Sequence, residues 1–319
     1  LAPEKTSIDF FRWQWITFGG SMALMVLAFI LWGTMGLNFG IDFQGGTTIR
    51  TESTKVVDVG AYRKTLEGLD LGDVSINEVF DPSFRDDQHV AMVRIAALDG
   101  HEAVSPETLD KVKATLTAMD PAINFPSVES VGPKVSNELV YSSILAVAIT
   151  SVGIAMYIWL RFEWQFALGG VLALLHDVFI TIGIFALFQI KFDLTIIAAL
   201  LTILGYSIND TVVVFDRLRE NLIKYKKMPL KDVMNLSVNE TLSRTLMTSI
   251  TTLIAVGSML VFGGDVIRGF SFAIFMGVVL GTYSSVYVAK NIVLILGLDR
   301  SEKPKKDGKA GTDFANIDA

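Results

Sequence analysis

Long apolar runs with few charges recur along the chain, and their lengths predict six membrane-spanning helices. A helix needs about 20 apolar residues to cross the hydrocarbon layer, because it rises by only about 1.5 Å per residue. The predicted spans are Ile16–Gly36, Leu139–Leu160, Trp164–Ile190, Leu194–Asp216, Ser243–Phe262 and Gly269–Leu298. The first run is longer than the apolar region of a cleaved signal peptide, so we expect a retained span.

The polar stretch between the first two spans, residues 37–138, has the pattern of a small α+β domain. Strand patterns occur at Gly46–Ser53, Val74–Phe80, His89–Ala97 and Ile123–Val131. Apolar residues at helical spacing predict one helix around residues 56–69 and a second that begins after Ser105 and stops at Asp120. Residues 81–83 are predicted as a turn. The order βαββαβ is that of a ferredoxin-like sandwich.

Lysine and arginine are concentrated on one side of the predicted spans. If residues 1–15 are cytoplasmic, the cytoplasmic segments hold sixteen of these residues, whereas the two short outer loops hold only Lys191 and Arg268. Because basic residues favour the cytoplasmic side, we expect both ends of the chain in the cytoplasm and residues 37–138 outside. That outer segment has seventeen acidic residues against nine basic ones, which does not favour binding to anionic lipid or nucleic acid.

Two polar regions complete the predicted cytoplasmic side. Residues 217–242 form a loop, in which Leu230, Val233, Met234, Val238 and Leu242 share one helical face. This pattern predicts a separate amphipathic helix lying on the membrane lipid. Residues 299–319 form a polar tail, which we expect to be disordered.

Composition agrees with a membrane protein and excludes several kinds of chemistry. Hydrophobic residues make up 51% of the chain and charged residues only 19%, with a mean hydropathy of +0.48. This balance excludes a disordered chain, a collagen and most nucleic-acid binders. The chain has no cysteine, so disulfides, thiolate zinc sites and iron–sulfur clusters are excluded. Nucleotide-binding GxxxxGK[ST], metal-binding HExxH and GxSxG motifs are also absent. We therefore expect no cofactor, no metal and no enzyme activity.

Ionisable residues inside the spans are the main candidates for function, because burying a charge in a membrane is costly. Asp210 lies six residues before the cytoplasmic end of the fourth span, with Asn209 beside it. Arg244 opens the fifth span, with Thr248 one turn later. Asp177, beside His176, lies about 20 Å into the third span. Together they predict a ladder of polar groups from the cytoplasm towards the membrane centre.

Such a ladder permits two interpretations. A carboxylate that is buried near an arginine can hold or release a proton near neutral pH, which is what a proton pathway requires. The alternative is that Asp210 and Arg244 form a structural ion pair, and that Asp177 and His176 are hydrogen-bonded packing residues. Both interpretations require that the buried charges find partners.

Four motifs, in order along the chain, resemble those of the SecF family in bacterial SecD–SecF protein-export complexes. They are the segments FGIDFQGGT at 39–47, VGP at 131–133, GYSINDTVVVFDR at 205–217 and SRTLMTSITT at 243–252. Each stands at the same place relative to the spans as in that family. The resemblance covers residues from about 10 to 298.

The resemblance implies a fold similar to half of an RND-type transporter, with a ferredoxin-like domain in the periplasm. It implies a bacterial inner-membrane location, a SecD partner that supplies the other half, and neighbours that include the SecYEG channel, YidC and YajC. The implied function is to use the proton motive force for late translocation and release of unfolded polypeptides. The residues required in the family correspond to Asp210 and Arg244. Two alternatives stay open: a passive subunit that holds SecD at the channel, and a half-transporter for small hydrophobic molecules.

The first two motifs of the resemblance flank the outer domain. Asp42, Gly45 and Gly46 follow the first span, and Gly132 and Pro133 precede the second. Glycine permits unusual backbone angles and proline fixes one, so these segments are predicted as joints that transmit a shift of the helices. The alternative is that they only anchor the domain.

Overall fold

Six helices in the described part of the chain are long and apolar enough to cross a membrane. The computed structural model describes residues 6–69, 71–79, 84–85, 87–96 and 104–298, apart from the side chains at 133, 265 and 266. The six spans lie within α1 Gln14–Met35, α5 Pro133–Arg161, α6 Trp164–Phe188, α7 Leu194–Lys224, α8 Leu230–Phe262 and the pair α9 Asp265–Ser284 and α10 Lys290–Leu296. The predicted turn at 81–83 and the predicted tail lie outside the described residues.

The last span is interrupted by a π-helical turn, Ser285–Ala289, between α9 and α10. Helices α6 and α9 lie at the centre of the bundle, and most side chains of α6 are buried. Helices α1 and α5 lie at the periphery and leave most of their apolar side chains exposed, as lipid-facing helices do. We call the end of the bundle that carries the sheet the sheet-domain end, and the other the opposite end.

Helices α1 and α6 approach closely at Gly183. A Cβ atom placed on Gly183 would lie 2.3 Å from the Cβ and 2.7 Å from the Cα of Ala28. Because Ala28 Cα is a backbone atom, no change of rotamer can relieve this contact. The two helices therefore depend on a glycine at position 183, in the manner of small-residue contacts between membrane helices.

Gly183→Ala is expected to destabilise the α1–α6 contact by about 1–3 kcal/mol, the usual cost of overpacking. Unfolding of the detergent-solubilised chain measures this loss. Adding Ala28→Gly should restore part of the stability, since it removes the Cβ–Cβ clash. Gly33→Ala on α1 is the matched control, because a Cβ there has no neighbour within 4 Å. Equal losses from Gly183→Ala and Gly33→Ala would contradict the steric explanation.

Helices α7 and α8 extend well beyond the predicted spans at the opposite end. Helix α7 continues to Lys224 and α8 already begins at Leu230. The prediction of a separate interfacial helix in residues 230–242 is therefore wrong, because this stretch is the first part of α8. Its apolar face packs on protein: Val233 and Met234 are fully buried in a cluster with Phe11 and Phe215. A helix that lies on lipid and a helix that packs on protein both carry an apolar stripe. The sequence pattern alone therefore could not distinguish these two environments.

The segment before α1 covers part of this stretch of α8. Asn239 accepts a hydrogen bond from the backbone N–H of Ile8 at 2.8 Å and donates one to the Ile8 carbonyl at 2.8 Å. Asn235 accepts from the N–H of Phe10 at 2.9 Å. The buried Nζ of Lys290 donates to the Phe10 carbonyl at 3.2 Å and lies 3.8 Å from the ring centre of Phe11. These contacts fix residues 6–11 against the opposite end of the bundle.

The domain between α1 and α5 is a four-stranded antiparallel sheet covered by two helices. It contains β1 Gly46–Ser53, α3 Val59–Leu66, β2 Val74–Val79, β3 His89–Ile95, α4 Pro106–Met119 and β4 Asn124–Val131. The strand order is β2-β3-β1-β4, which a βαββαβ chain adopts in the ferredoxin-like fold. A one-turn helix, α2 Ile41–Gln44, precedes β1. We call this unit the sheet domain; its predicted fold class is confirmed.

Alternation along the central strands builds the core of the sheet domain. Ile49 of β1 lies opposite Val93 of β3, and Ile76 of β2 pairs with Val93 from the other side. Val112 and Leu116 of α4 are fully buried against this face. Ser105 caps α4 by accepting from the N–H of Thr108 at 3.1 Å, as its sequence predicts.

A buried carboxylate lies at the C-terminal end of α4. Asp120 accepts hydrogen bonds from the hydroxyl of Ser53 and from the N–H of Ala122, and its other neighbour is the Lys55 ammonium at 3.2 Å. The hydrogen bond from Ser53 is the main reason that the pKa of Asp120 lies below its ordinary value of 3.8. This carboxylate therefore favours the folded domain above that value, and its contribution is lost as the pH falls through the lowered pKa.

Asp120→Asn is expected to destabilise the sheet domain at pH 7 by about 1–2 kcal/mol, since it weakens charge-assisted hydrogen bonds. The same change should flatten the loss of stability below about pH 4. Hydrogen exchange in β1 and α4 of the full chain measures both effects. Asp110→Asn, an exposed position on α4, is the control and should leave the pH profile unchanged.

Candidate functional site

Asp177 is the centre of a buried polar cluster that joins three helices. Its Oδ2 atom accepts hydrogen bonds from Ser207 of α7 and Ser284 of α9, both at 2.7 Å. Its Oδ1 atom lies 2.9 Å from Nδ1 of His176. All four side chains are at most 1% exposed. Asp177 therefore has partners for both oxygens and holds α6, α7 and α9 together at mid-bundle.

Asp210 lies one turn beyond Ser207 on the same side of α7. Its side chain is buried, and its Oδ2 atom has no hydrogen-bond partner among the described residues. The hydroxyl of Tyr206, one turn earlier on α7, is also buried and unpaired within the described part of the chain. A buried polar atom without a partner costs about 1–3 kcal/mol, so such a group is typical of a functional site.

Arg244 lies near enough to act on Asp210 electrostatically. The two side chains nevertheless form no ion pair, because their charged atoms lie more than 4.0 Å apart. By comparison, Arg161 and Asp216 form an ion pair at 3.1 Å. Arg244 is exposed in this single chain. The predicted neighbours are thus brought to one region, but a direct structural ion pair is not what the geometry shows.

Asn209 and Thr248 stand at the edge of this region. Asn209 is exposed on α7. The Thr248 hydroxyl donates to its own helix, to the carbonyls of Arg244 and Thr245 at 3.2 and 3.0 Å. Neither residue contacts Asp210 through a hydrogen bond, and their part in a proton pathway stays a prediction.

The segment between α1 and β1 contains the predicted glycine joint. Gly45 and Gly46 both have positive φ, +68° and +107°, which glycine adopts without strain. Gly132 has an ordinary φ of −70° and Pro133 stands at the first position of α5. The glycine pair therefore turns the chain sharply from α2 into β1, and Pro133 starts the helix that leaves the domain.

We call residues 36–46, between α1 and β1, the joint. The joint contacts the turn between α6 and α7, and the sequence did not indicate this contact. The N–H of Phe192 donates to the Asn38 carbonyl and the N–H of Gly40 donates to the Phe192 carbonyl, both at 2.8 Å. Asp42 accepts from the N–H of Leu194, the first residue of α7, at 3.0 Å. From the domain side, Arg94 of β3 donates to the Phe39 carbonyl at 3.3 Å. The joint is thus bonded to both the domain and the bundle.

Comparison with known proteins decides the family. The sequence profile described as protein export membrane protein SecD/SecF, C-terminal, matches residues 111–299, and the SecD/SecF GG motif matches residues 30–55. A protein translocase subunit SecF from Cereibacter sphaeroides is 72% identical over all of this chain and 98% of its own length. The chain belongs to the SecF family. A SecF from Calditerrivibrio nitroreducens is 40% identical over 93% of this chain and 96% of its own length.

A solved structure agrees with this assignment to the SecF family. The crystal structure of SecDF, a translocon-associated membrane protein from Thermus thermophilus, matches with a TM-score of 0.83 and 34% identity. The match covers 93% of this chain and 39% of that one, so the chain spans about two fifths of SecDF. The six spans, the sheet domain and the RND-type arrangement predicted from the sequence are thereby confirmed.

Two serines of this SecF-family site could not be selected from the sequence, whereas a buried lysine could. Ser207 and Ser284 are ordinary residues within apolar helices, and only packing brings them to Asp177. Lys290 could have been noticed, since it interrupts the apolar run of the last span. No group of three or more His, Cys, Asp or Glu suited to a metal ion occurs among the described residues.

Proposed function

We propose that this SecF-family chain uses proton binding and release at Asp210 to drive a late step of protein export. In this proposal it is a non-enzymatic subunit that couples the proton motive force to translocation and release of unfolded polypeptide. The proton pathway has Asp210 and Arg244 at its centre, with Asn209, Thr248, Asp177 and His176 along it. It needs no cofactor in this chain.

The observation that carries the proposal is the state of the Asp210 carboxylate. It is buried within a membrane-spanning helix, one oxygen has no partner, and Arg244 acts on it without a direct ion pair. A carboxylate locked to an arginine in a close ion pair releases its charge only at a large cost. A buried carboxylate with a free oxygen can accept a proton there, and an intramembrane acid of this kind is a typical proton-relay group.

The Asp177 cluster supports a route into the bundle. Ser207 donates to Asp177 and lies three residues before Asp210 on α7, a rise of about 4.5 Å along the helix. The buried Nε2 of His176 has no partner among the described residues. A change of charge at Asp210 therefore acts one helical turn away from the cluster that holds α6, α7 and α9 together.

The exposed face of this site supports the proposal that a partner subunit covers it. Asn209 and Arg244 are exposed in the single chain although they lie on membrane-spanning helices. Polar groups at this depth normally face protein, and we assign this face to a SecD subunit. The complex lies in the bacterial inner membrane beside the SecYEG channel, with YidC and YajC as further partners. Both ends of the chain are cytoplasmic, and the sheet domain is periplasmic.

The test is export in inverted membrane vesicles that carry the complex, with and without a proton gradient. Asp210→Asn should remove the stimulation by the gradient while the subunit still co-purifies with SecD. Full stimulation in the variant would refute the proton role and leave the chain as a passive assembly subunit. Lost co-purification would refute the proposal in a different way, because Asp210 would then be needed for assembly.

A further inference from the structure

Asp42 lies in the joint and connects the sheet domain on one side to helix α7 on the other. Its Oδ2 atom accepts from the N–H of Leu194 at 3.0 Å. Leu194 is the first residue of α7, and Asp210 lies sixteen residues later on that helix, about 24 Å away along its axis. In the other direction Asp42 is within α2, from which Gly45 and Gly46 lead directly into β1.

The contact around Asp42 is continuous and closely packed. Backbone hydrogen bonds join Asn38 and Gly40 to Phe192 on the turn between α6 and α7. The rings of Phe39 and Phe43 both contact the ring of Phe192, with centres about 6 Å apart. A Cβ placed on Gly40 would lie only 3.0 Å from the Cβ of Asp193. The two segments are therefore closely packed, and a larger residue at position 40 would push them apart.

We infer that Asp42 is a positioning residue that makes the sheet domain follow the sheet-domain end of α7. This inference rests on the proposed function, because it says how a shift that starts at Asp210 reaches the outer domain. A carboxylate at a helix N-terminus is held by the unpaired N–H groups and by the helix dipole. Because this carboxylate comes from the joint and not from α7 itself, the joint must move with the helix.

The chain offers a matched control for this role. Asp193 also caps α7, accepting from the N–H of Thr195 at 3.0 Å, but its side chain belongs to the turn next to the helix. At the same helix end, Asp42→Ala removes one hydrogen bond and Asp193→Ala removes two, from the N–H and the hydroxyl of Thr195. Asp42→Ala should lower gradient-stimulated export by about 2- to 30-fold, the range for residues that carry coupling. Asp193→Ala should leave it near wild type. Equal losses in both variants would overturn the inference.

A disulfide tests whether the joint and the turn move as one body. The chain has no cysteine of its own, so Gly40→Cys with Asp193→Cys introduces a single possible bridge within this chain. The two Cβ atoms would start 3.0 Å apart, so the joint and the turn must separate by about 0.5–1 Å to hold a relaxed disulfide. If the joint follows α7 rigidly, the oxidised double variant should export as well as the reduced one. Loss of stimulation on oxidation, with recovery on reduction, would show that the joint opens and would overturn the inference.

A distance measurement separates this inference from the proton proposal. Spin labels at Glu129→Cys on β4 and Leu187→Cys on α6, both exposed positions, report the spacing of the domain and the turn in the complex. Asp42→Ala should broaden this distribution, and Asp193→Ala should not. An unchanged distribution in Asp42→Ala would overturn the positioning role. If Asp210→Asn instead keeps its stimulation, the proton proposal fails while the distance result stands.

Discussion

In vesicles that carry the complex, Asp210→Asn is expected to reduce the ratio of export rates with and without a gradient to about 1, because an amide cannot take up or release a proton. The variant keeps the size of the side chain, so packing of α7 should change little. Arg244 forms no close ion pair with Asp210, so the substitution breaks no direct contact between the two side chains. The predicted effect is therefore on coupling and not on folding.

Two further variants make this result specific. Asp216→Asn removes an acid from the same helix, but one that is half-exposed and paired with Arg161 at 3.1 Å. It should retain the stimulation. Asp210→Glu keeps a proton-binding group and should restore part of the activity. An inactive Asp216→Asn, or an Asp210→Glu no better than Asp210→Asn, would argue for a general effect of charge or shape at this end of α7.

Asp177→Ala is expected to destabilise the packing of α6, α7 and α9 against one another. It removes the common partner of His176, Ser207 and Ser284. Hydrogen bonds between membrane helices contribute on average about 0.6 and at most about 1.7 kcal/mol each, so the two from Ser207 and Ser284 amount to about 1–3 kcal/mol. The bond to His176 lies within α6 and does not join two helices. Unfolding of the detergent-solubilised chain at increasing denaturant measures this loss.

The comparison with Asp177→Asn separates the hydrogen bonds from the charge. An asparagine keeps the volume and can still bond to the two serines, so we expect it to lose less than about half as much stability as the alanine. Thr202→Ala on α7 is the control, since Thr202 is exposed and donates only to its own helix. A stable Asp177→Ala variant would mean that the cluster does not hold the three helices together.

The sequence predicts this fold well where the signals are local. The bounds of β1 agree with the predicted Gly46–Ser53, because the glycine pair marks its start and its threonine-rich sequence favours a strand. The cap at Ser105 follows from two adjacent residues. The length of an apolar run reflects the thickness of the membrane, and a helix can continue beyond it into water or protein. The polar ends of α7 and α8 therefore could not be predicted from the apolar runs.

The candidate site is predictable only in part, for a similar reason. The cost of burying charge selects Asp177, Asp210 and Arg244 from the sequence alone. It does not say which charges are paired, because the serines that satisfy Asp177 are 30 and 107 positions away. The docking of the joint on the turn before α7 is likewise a contact over about 150 residues, and no periodic pattern encodes it.

The contacts that hold residues 6–11 against the opposite end of the bundle have a consequence for biosynthesis. Their hydrogen-bond partners Asn235, Asn239 and Lys290 lie between 225 and 280 positions later in the chain. At about 5–20 residues per second, the ribosome needs roughly 10–60 s to reach them. Until then the backbone groups of Ile8 and Phe10 cannot make these hydrogen bonds. Formation of these contacts is therefore a late event, which requires that α8 and α10 are already in place.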